Sequence, residues 1–275
     1  MTNVFNYIDR PSPIHRLTGA TKLVCVLLWS FASMITYDTR LLVLLVVLSL
    51  VLFGISKIQL KEVSFVLNFM LVFLLLNNLT VYLISPRYGT EIYGTSHEIL
   101  FIGGRYDLTL EQLFYHLNLV LKFMSMVPAI LLFVSTTEPS EFAASLNRIG
   151  VRYSIAYSVS LTLRYIPDIQ REFHEISQAQ QARGVEMTAK ENVFKRIKSA
   201  ASILVPLILS SMNRIEVVSN AMELRGFGKK NKRTWYRARA FRRADYLAMA
   251  FCALLLVAAV VLNLVNGSRF WNPFT

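Results

Sequence analysis

The sequence predicts an all-α integral membrane protein of about five transmembrane helices, with a block of long cytoplasmic or interfacial helices between the fourth and the fifth. Three observations predict it. Of the 275 residues, 54% are hydrophobic and only 17% charged, with a mean hydropathy of +0.45; a soluble domain carries about 25% charge. Five apolar runs reach or approach the roughly 20 residues that a helix needs to cross the hydrocarbon. The positive charge is gathered in one place: residues 135–243 hold 19 Lys/Arg against 9 Asp/Glu, which is +10 of a net +12.

Residues 1–19 are polar, with Asp9, Arg10, Pro11, Pro13, His15 and Arg16. No cleavable signal is visible there, so the first apolar run is expected to be a retained span. That run is 20–37, "ATKLVCVLLWSFASMITY". The second, 41–56, is slightly short and follows after only Asp38-Thr39-Arg40, which predicts a tight helical hairpin. The third is 63–84, the fourth 110–134 and the last 244–266. The chain thus divides into a four-span membrane domain (1–134), a cytoplasmic domain of long helices (135–243) and a C-terminal transmembrane helix (244–275). Basic residues favour the cytoplasmic side. Arg10, Arg16 and Lys22, then Lys57 and Lys61, then the 135–243 block all fall on one side if the N-terminus is cytoplasmic. The loop 85–107 then faces outward, and five spans put the C-terminus outside.

The central block opens with "VSTTEPSEF". Thr136 or Thr137 can cap a short helix whose first turn holds Glu138, Pro139 and Glu141, and which ends near Gly150. A second helix is expected from about Tyr153 to Arg183, roughly 45 Å long at 1.5 Å per residue. A third is expected over 191–225. Pro167 and Pro206 interrupt these two, so each is a candidate bend point. Their apolar stretches are about 10–13 residues long, which is typical of a buried or interfacial segment. Both helices are therefore expected to lie obliquely along or just below the membrane face.

The chemistry that is missing narrows the function. There is no G-x-x-x-x-G-K-[ST], no H-E-x-x-H and no C-x-x-C. "RGFGKKNK" lacks the spacing that wraps a phosphate. His15, His97, His116 and His174 are dispersed. Cys25 and Cys252 lie in separate apolar runs, so neither a disulfide framework nor a cysteine metal site is expected. Lys122 and Tyr82 are the ionisable residues read as lying inside spans, and an internal partner or snorkelling accounts for one lysine. No catalytic residue, cofactor or metal is expected.

Two helices are expected to end on an Arg-Gly pair. The first is Ala182-Arg183-Gly184; the second, forty-two residues on, is Leu224-Arg225-Gly226. Ordinary helix termination explains one such pair, because Gly favours the position past the last turn and Arg complements the helix dipole. Two on one chain also fit a pair of docking hooks. Arg offers a planar fork suited to a carboxylate, and the following Gly lets another backbone come close.

At these residues the sequence resembles the transmembrane T component of energy-coupling factor transporters, the EcfT/CbiQ/BioN group. The resemblance covers nearly the whole chain. It is carried by "SPIHRLTGATKLV" (12–24), by the segment 135–184 with "LRYIP" and "QAQQARG", and by "AMELRGFG" (221–228). Leu224 stands where Ala is common in the group. The resemblance implies a non-catalytic subunit that works with two ABC-type ATPases and a small S component binding a vitamin or metal ion. It implies that Ala182, Arg183, Gly184, Leu224, Arg225 and Gly226 dock into the ATPases and that apolar helix faces cradle the S component.

"KKNKRTWYRARAFRR" (229–243) holds eight Lys/Arg and no acid. It is the expected cytoplasmic flank of the last span, against anionic membrane lipid. Its aromatic residues imitate a nucleic-acid surface, but no other part of the chain supports nucleic-acid binding. The competing functions are a membrane scaffold that binds cytoplasmic partners without coupling ATP hydrolysis, and a polytopic enzyme with an unrecognised site.

Overall fold

Helix starts are written locally in this chain. Thr18 opens α1 (Gly19–Ile35), its hydroxyl accepting from the Thr21 N–H. Asp38 opens α2 (Thr39–Ser56) by accepting from the Arg40 N–H. Gln59 and Glu62 form a reciprocal cap at the start of α3 (Leu60–Ile84). The structure, a computed structural model, describes residues 10–100, 106–184, 193–229, 234–235 and 238–274. Several residues read from the sequence lie outside these: Asp9, part of the loop 85–107, the expected helix start at 191, and 230–233 and 236–237 of the basic run. The loop 85–107 is more ordered than a plain connection. It carries α4 (Tyr88–Tyr93) and β1 (Glu98–Leu100), which pairs antiparallel with β2 (Leu108–Thr109). Then come α5 (Leu110–Thr136), α6 (Pro139–Arg148), α7 (Tyr153–Ala182), α8 (Val193–Leu224) and α9 (Arg243–Val265).

The chain is an all-α integral membrane protein. Among the described residues five helices are long and apolar enough to cross a membrane: α2, α3, α5, Ser199–Leu224 of α8, and α9. Four coincide with runs read from the sequence. The first run instead forms the 17-residue α1, shorter than those five. The α8 stretch qualifies because the helix carries its apolar middle through Ser210, Ser211 and Asn213, residues that break an apolar run without breaking a helix.

One expected cap does not form. α5 continues through Thr136, with Thr137 as its C-cap, and α6 begins at Pro139. The Thr136 and Thr137 hydroxyl oxygens are buried with no hydrogen-bond partner among the described residues. Proline favours the first helical position, where a missing N–H costs nothing.

The chain divides into two compact units, residues 1–138 with 239–275, and residues 139–238. In the first unit, α1 packs on α9, and α1 and α2 pack on α5. Its largest apolar cluster joins Trp29, Ala32, Leu41, Leu45, Cys252, Leu255 and Ala259. Ala32 and Ala259 are fully buried, and small residues let helices approach where lipid removes the hydrophobic drive between them. Cys25 packs against this cluster, so the two free cysteines of separate sequence runs share one neighbourhood.

Polar side chains tie the helix ends together. At one end Asp245 accepts from the Thr18 N–H and the Thr21 hydroxyl, both at 2.9 Å. The Lys22 ammonium there donates to the Thr136 carbonyl at 2.7 Å, and Arg10 bonds Glu62 and the Lys57 carbonyl. At the other end Tyr37 stacks on Phe270, Asn266 donates to Asp38, and Asn272 donates to the Tyr93 carbonyl. The turns of this unit therefore sort into two sets, and α1, α2, α3, α5 and α9 each run from one set to the other. Of the two readings of Lys122, the internal partner is the one found: its ammonium donates to the Met34 carbonyl and lies 3.6 Å from the centre of the Tyr37 ring.

The second unit holds α6, α7 and α8. α6 packs on α7, and α7 on α8. Gln180 donates to the Ser202 carbonyl, Glu172 accepts from Arg214 and Ser210, and Tyr157 meets Phe227. Partners fall along α8 as they rise along α7, so the two helices are antiparallel. Both helices run unbroken through Pro167 and Pro206.

Candidate docking site

The two Arg-Gly ends are built in the same way. At the end of α7, Arg183 is the C-cap, and its N–H bonds the Ala179 and Gln180 carbonyls. Gly184 follows at φ +82°, its N–H bonding the Gln181 carbonyl at 3.0 Å. At the end of α8, Gly226 takes φ +66° and bonds the Glu223 carbonyl at 2.8 Å, while Phe227 reaches back to the Met222 carbonyl at 2.9 Å. This crossed pair satisfies the last carbonyls of a helix and needs a left-handed residue at its centre, which glycine supplies without strain. The arginine precedes the reversal in both cases, so the helix stops and the side chain is left on the surface. Ala182, Arg183, Gly184, Leu224 and Arg225 are all exposed, and Leu224 reaches 90%.

The antiparallel pairing puts the two ends far apart. Arg225 lines a cavity of about 410 Å³ between the helices, together with Tyr157, Arg164, Tyr165, Asp168 and Phe227. These α7 residues run from Tyr157 to just past the middle of the helix. Arg183 lies 26 residues beyond Tyr157, about 40 Å along the helix. The structure therefore does not bring the two sequence-predicted triplets together. It sets them toward opposite ends of one helical pair.

The surroundings of the two ends differ. Phe227 is anchored by Tyr157, with ring centres 4.8 Å apart, and Tyr153 and Trp235 complete an aromatic cluster beneath it. The Trp235 indole N–H is held by Asn147 of α6. The end at Arg183 has no such support among the described residues, and the chain beyond Gly184 lies outside them. Between the two ends, Glu172 accepts from Ser210 and makes a 2.8 Å ion pair with Arg214, whose guanidinium lies near the Tyr165 ring. Sequence reading did not single out Glu172, Ser210 or Arg214. A carboxylate amid polar residues on a long helix gave no signal of its partner 42 positions away. Ser177, Ile203 and Leu207 are buried near that contact.

Along α8 a run of apolar side chains is exposed on the unit: Leu204, Val205, Ile208, Leu209 and Met212. A patch of this kind marks a protein or membrane contact. No group of three or more His, Cys, Asp or Glu side chains that could hold a metal occurs among the described residues.

The chain is similar to known proteins. Residues 10–236 match the model of the CbiQ family, described as cobalt transport protein. The chain belongs to the CbiQ family. Similar curated proteins are energy-coupling factor transporter transmembrane proteins named EcfT. The one from Limosilactobacillus fermentum is 28% identical over 269 residues, covering 94% of this chain and 97% of its own length. The one from Bacillus selenitireducens is 27% identical, with 95% and 97% covered. The EcfT 1 protein of Listeria monocytogenes reaches 37% over a shorter stretch of 109 residues, 40% of this chain and 41% of its own. The match spans both compact units, so family membership covers the membrane helices and the α7–α8 pair alike.

Proposed function

We propose that this CbiQ-family chain is the transmembrane component of an energy-coupling factor importer. It carries no ATP chemistry itself. It transmits ATP hydrolysis by two cytoplasmic ABC-type ATPases to a membrane S component that binds a vitamin or metal ion. The observation that carries this reading is the pair of exposed Arg-Gly helix ends, alike in local geometry and set toward opposite ends of one antiparallel pair. Arg183 and Arg225 are the contact residues, each offering a guanidinium to a carboxylate of one ATPase, with Ala182, Gly184, Leu224 and Gly226 leaving the partner room to approach. The exposed apolar stretch of α8 is the surface for the S component. Pro167 and Pro206 are the points at which the helices bend as the ATPases close and reopen.

The proposed placement has the N-terminus in the cytoplasm and the C-terminus outside, in the cell membrane of a prokaryote. Five passes by α1, α2, α3, α5 and α9 put Arg10, Lys22, Lys57 and Arg242 on the cytoplasmic side, as the positive-inside rule requires. The second unit, residues 139–238, is joined to the first after α5 and before α9, the ends assigned to the cytoplasm.

The test is gentle purification of the tagged chain from its native membrane, with identification of what accompanies it. Two ABC ATPases and a small hydrophobic membrane protein are expected, and the small protein identifies the cargo. Recovery of cytoplasmic partners that lack ATPase activity points instead to a scaffold. In the Arg183→Ala and Arg225→Ala variants the chain is expected to stay inserted while each loses one ATPase contact. Removing one partner of a buried interfacial charge pair costs about 2–5 kcal/mol. The double variant is expected to abolish uptake; uptake at the wild-type rate overturns the docking assignment.

A further inference from the structure

The first unit contains a cavity that the coupling role does not use. It has a volume of about 160 Å³ and lies among α1, α2, α5 and α9. Its wall is apolar, built from Cys25, Trp29, Leu132, Phe251 and Cys252. One end is different. Lys22, in the first turn of α1, and Thr136, the last residue of α5, both line it there. The Lys22 ammonium donates to the Thr136 carbonyl at 2.7 Å. The Thr136 hydroxyl, on a residue only 1% exposed, has no hydrogen-bond partner among the described residues.

The shape fits a chain-like guest. Trp29 lies seven residues along α1 from Lys22, about 10 Å deeper. An apolar cavity of about 150 Å³ stays dry and takes a hydrocarbon guest such as benzene. Leu52 and Phe251 line the cavity and are also partly exposed, at 36% and 45%, on the apolar outer surface. They mark the opening through which a chain can pass from the bilayer.

Charge selects the head group. Arg16 lies between Ile14 and Leu17, which both line the cavity, and Arg239 donates to the His15 carbonyl beside them. Arg242 and Arg243 open α9 at the same end of the unit. The carboxylate of Asp245 is already engaged by the Thr18 N–H, the Thr21 hydroxyl and the Arg242 N–H.

We propose that this cavity holds the end of an acyl chain of an anionic phospholipid, with the phosphate resting among the basic side chains of that end of the unit. The tail gains van der Waals contact with the apolar wall, which is the main attraction available between apolar surfaces inside a bilayer. The head group adds attraction between basic residues and anionic lipid. A lipid seated there wedges α1, α5 and α9 at the end where α5 hands over to the second unit.

Trp29 serves as the reporter. A form with Trp235→Phe and Trp271→Phe keeps it as the single tryptophan. The experiment places this form in phosphatidylcholine bilayers and adds phosphatidylglycerol brominated on its acyl chain. Trp29 fluorescence is expected to fall saturably at low mole fractions, several-fold more strongly than with brominated phosphatidylcholine. Ala248→Phe, which fills the cavity, is expected to remove the saturable part. Arg16→Gln is expected to reduce the preference for the anionic lipid. Equal quenching by both lipids, rising linearly and unchanged by Ala248→Phe, means contact with bulk lipid only and overturns the proposal, as does the lack of any quenching. If the single-tryptophan form does not fold, native mass spectrometry of the unmodified chain decides: a retained phosphatidylglycerol lost in Ala248→Phe supports the site, and none retained sinks it.

Discussion

Gly226 and Gly89 show two different demands that a single residue can meet. Gly226 is required by its backbone, at φ +66°, and an added Cβ meets nothing closer than the Lys229 Cδ at 3.4 Å. Gly226→Ala is expected to destabilise the α8 end by about 1 kcal/mol, through the left-handed strain alone. Because that end positions Arg225, weaker ATPase retention on purification is the sensitive readout. Gly89 is required by space. A Cβ there comes within 2.6 Å of the Gln112 backbone, and its N–H donates to the Gln112 side chain. Gly89→Ala is expected to force α4 off α5, at a cost of roughly 1–3 kcal/mol or more, read as a lower Tm in detergent. Asp245 is a third case. Its carboxylate closes α9 onto the start of α1, and Asp245→Asn is expected to lower stability by about 1.5–3 kcal/mol, the range for a hydrogen bond to a charged group. Neither Gly89 nor Asp245 was legible as important in the sequence, because their partners lie 23 and 227 positions away.

Helix ends were more readable than helix contacts. The spans and the long helices of the central block fall close to the boundaries that apolar run length and local capping give, since a helix start depends on residues within one turn of it. The misreading at Thr136 and Thr137 has the same origin. Both are good capping residues, and only Pro139, which fixes the first position of α6, together with the continuation of α5, decides between the alternatives. What joins α7 to α8 was not readable at all. The Glu172, Ser210 and Arg214 contact links residues 38 and 42 positions apart. Arg214→Ala is expected to loosen this pair by roughly 1 kcal/mol, since the ion pair is partly exposed. The expected functional result is separable from docking: both ATPases still co-purify, while uptake per ATP hydrolysed declines. Loss of an ATPase in this variant means that the contact serves docking rather than transmission.

At the scale of the whole molecule, the turns of the first unit sort into two ends, and the proposed placement makes the end with Arg10, Lys22, Lys57 and Arg242 the cytoplasmic one. In a form without Cys25 and Cys252, a cysteine placed at Ser268 is expected to react with an impermeant thiol reagent in intact cells. One placed at Gln178 is expected to react only after lysis. The reverse pattern overturns the orientation. The sequence by itself determined the class of protein, the number of apolar runs, the side that carries the positive charge and the two Arg-Gly helix ends. These are properties of composition, of run length and of residues within a turn of one another. Only the tertiary structure decided that the two arginines lie toward opposite ends of an antiparallel pair, that Cys25 and Cys252 share one cluster, and that an apolar cavity closes around Trp29 with Thr136 at its end. Each of those depends on which helix faces lie side by side. In this chain the faces are so uniformly apolar, on α2, α3 and α9 above all, that periodicity carries little record of the neighbour.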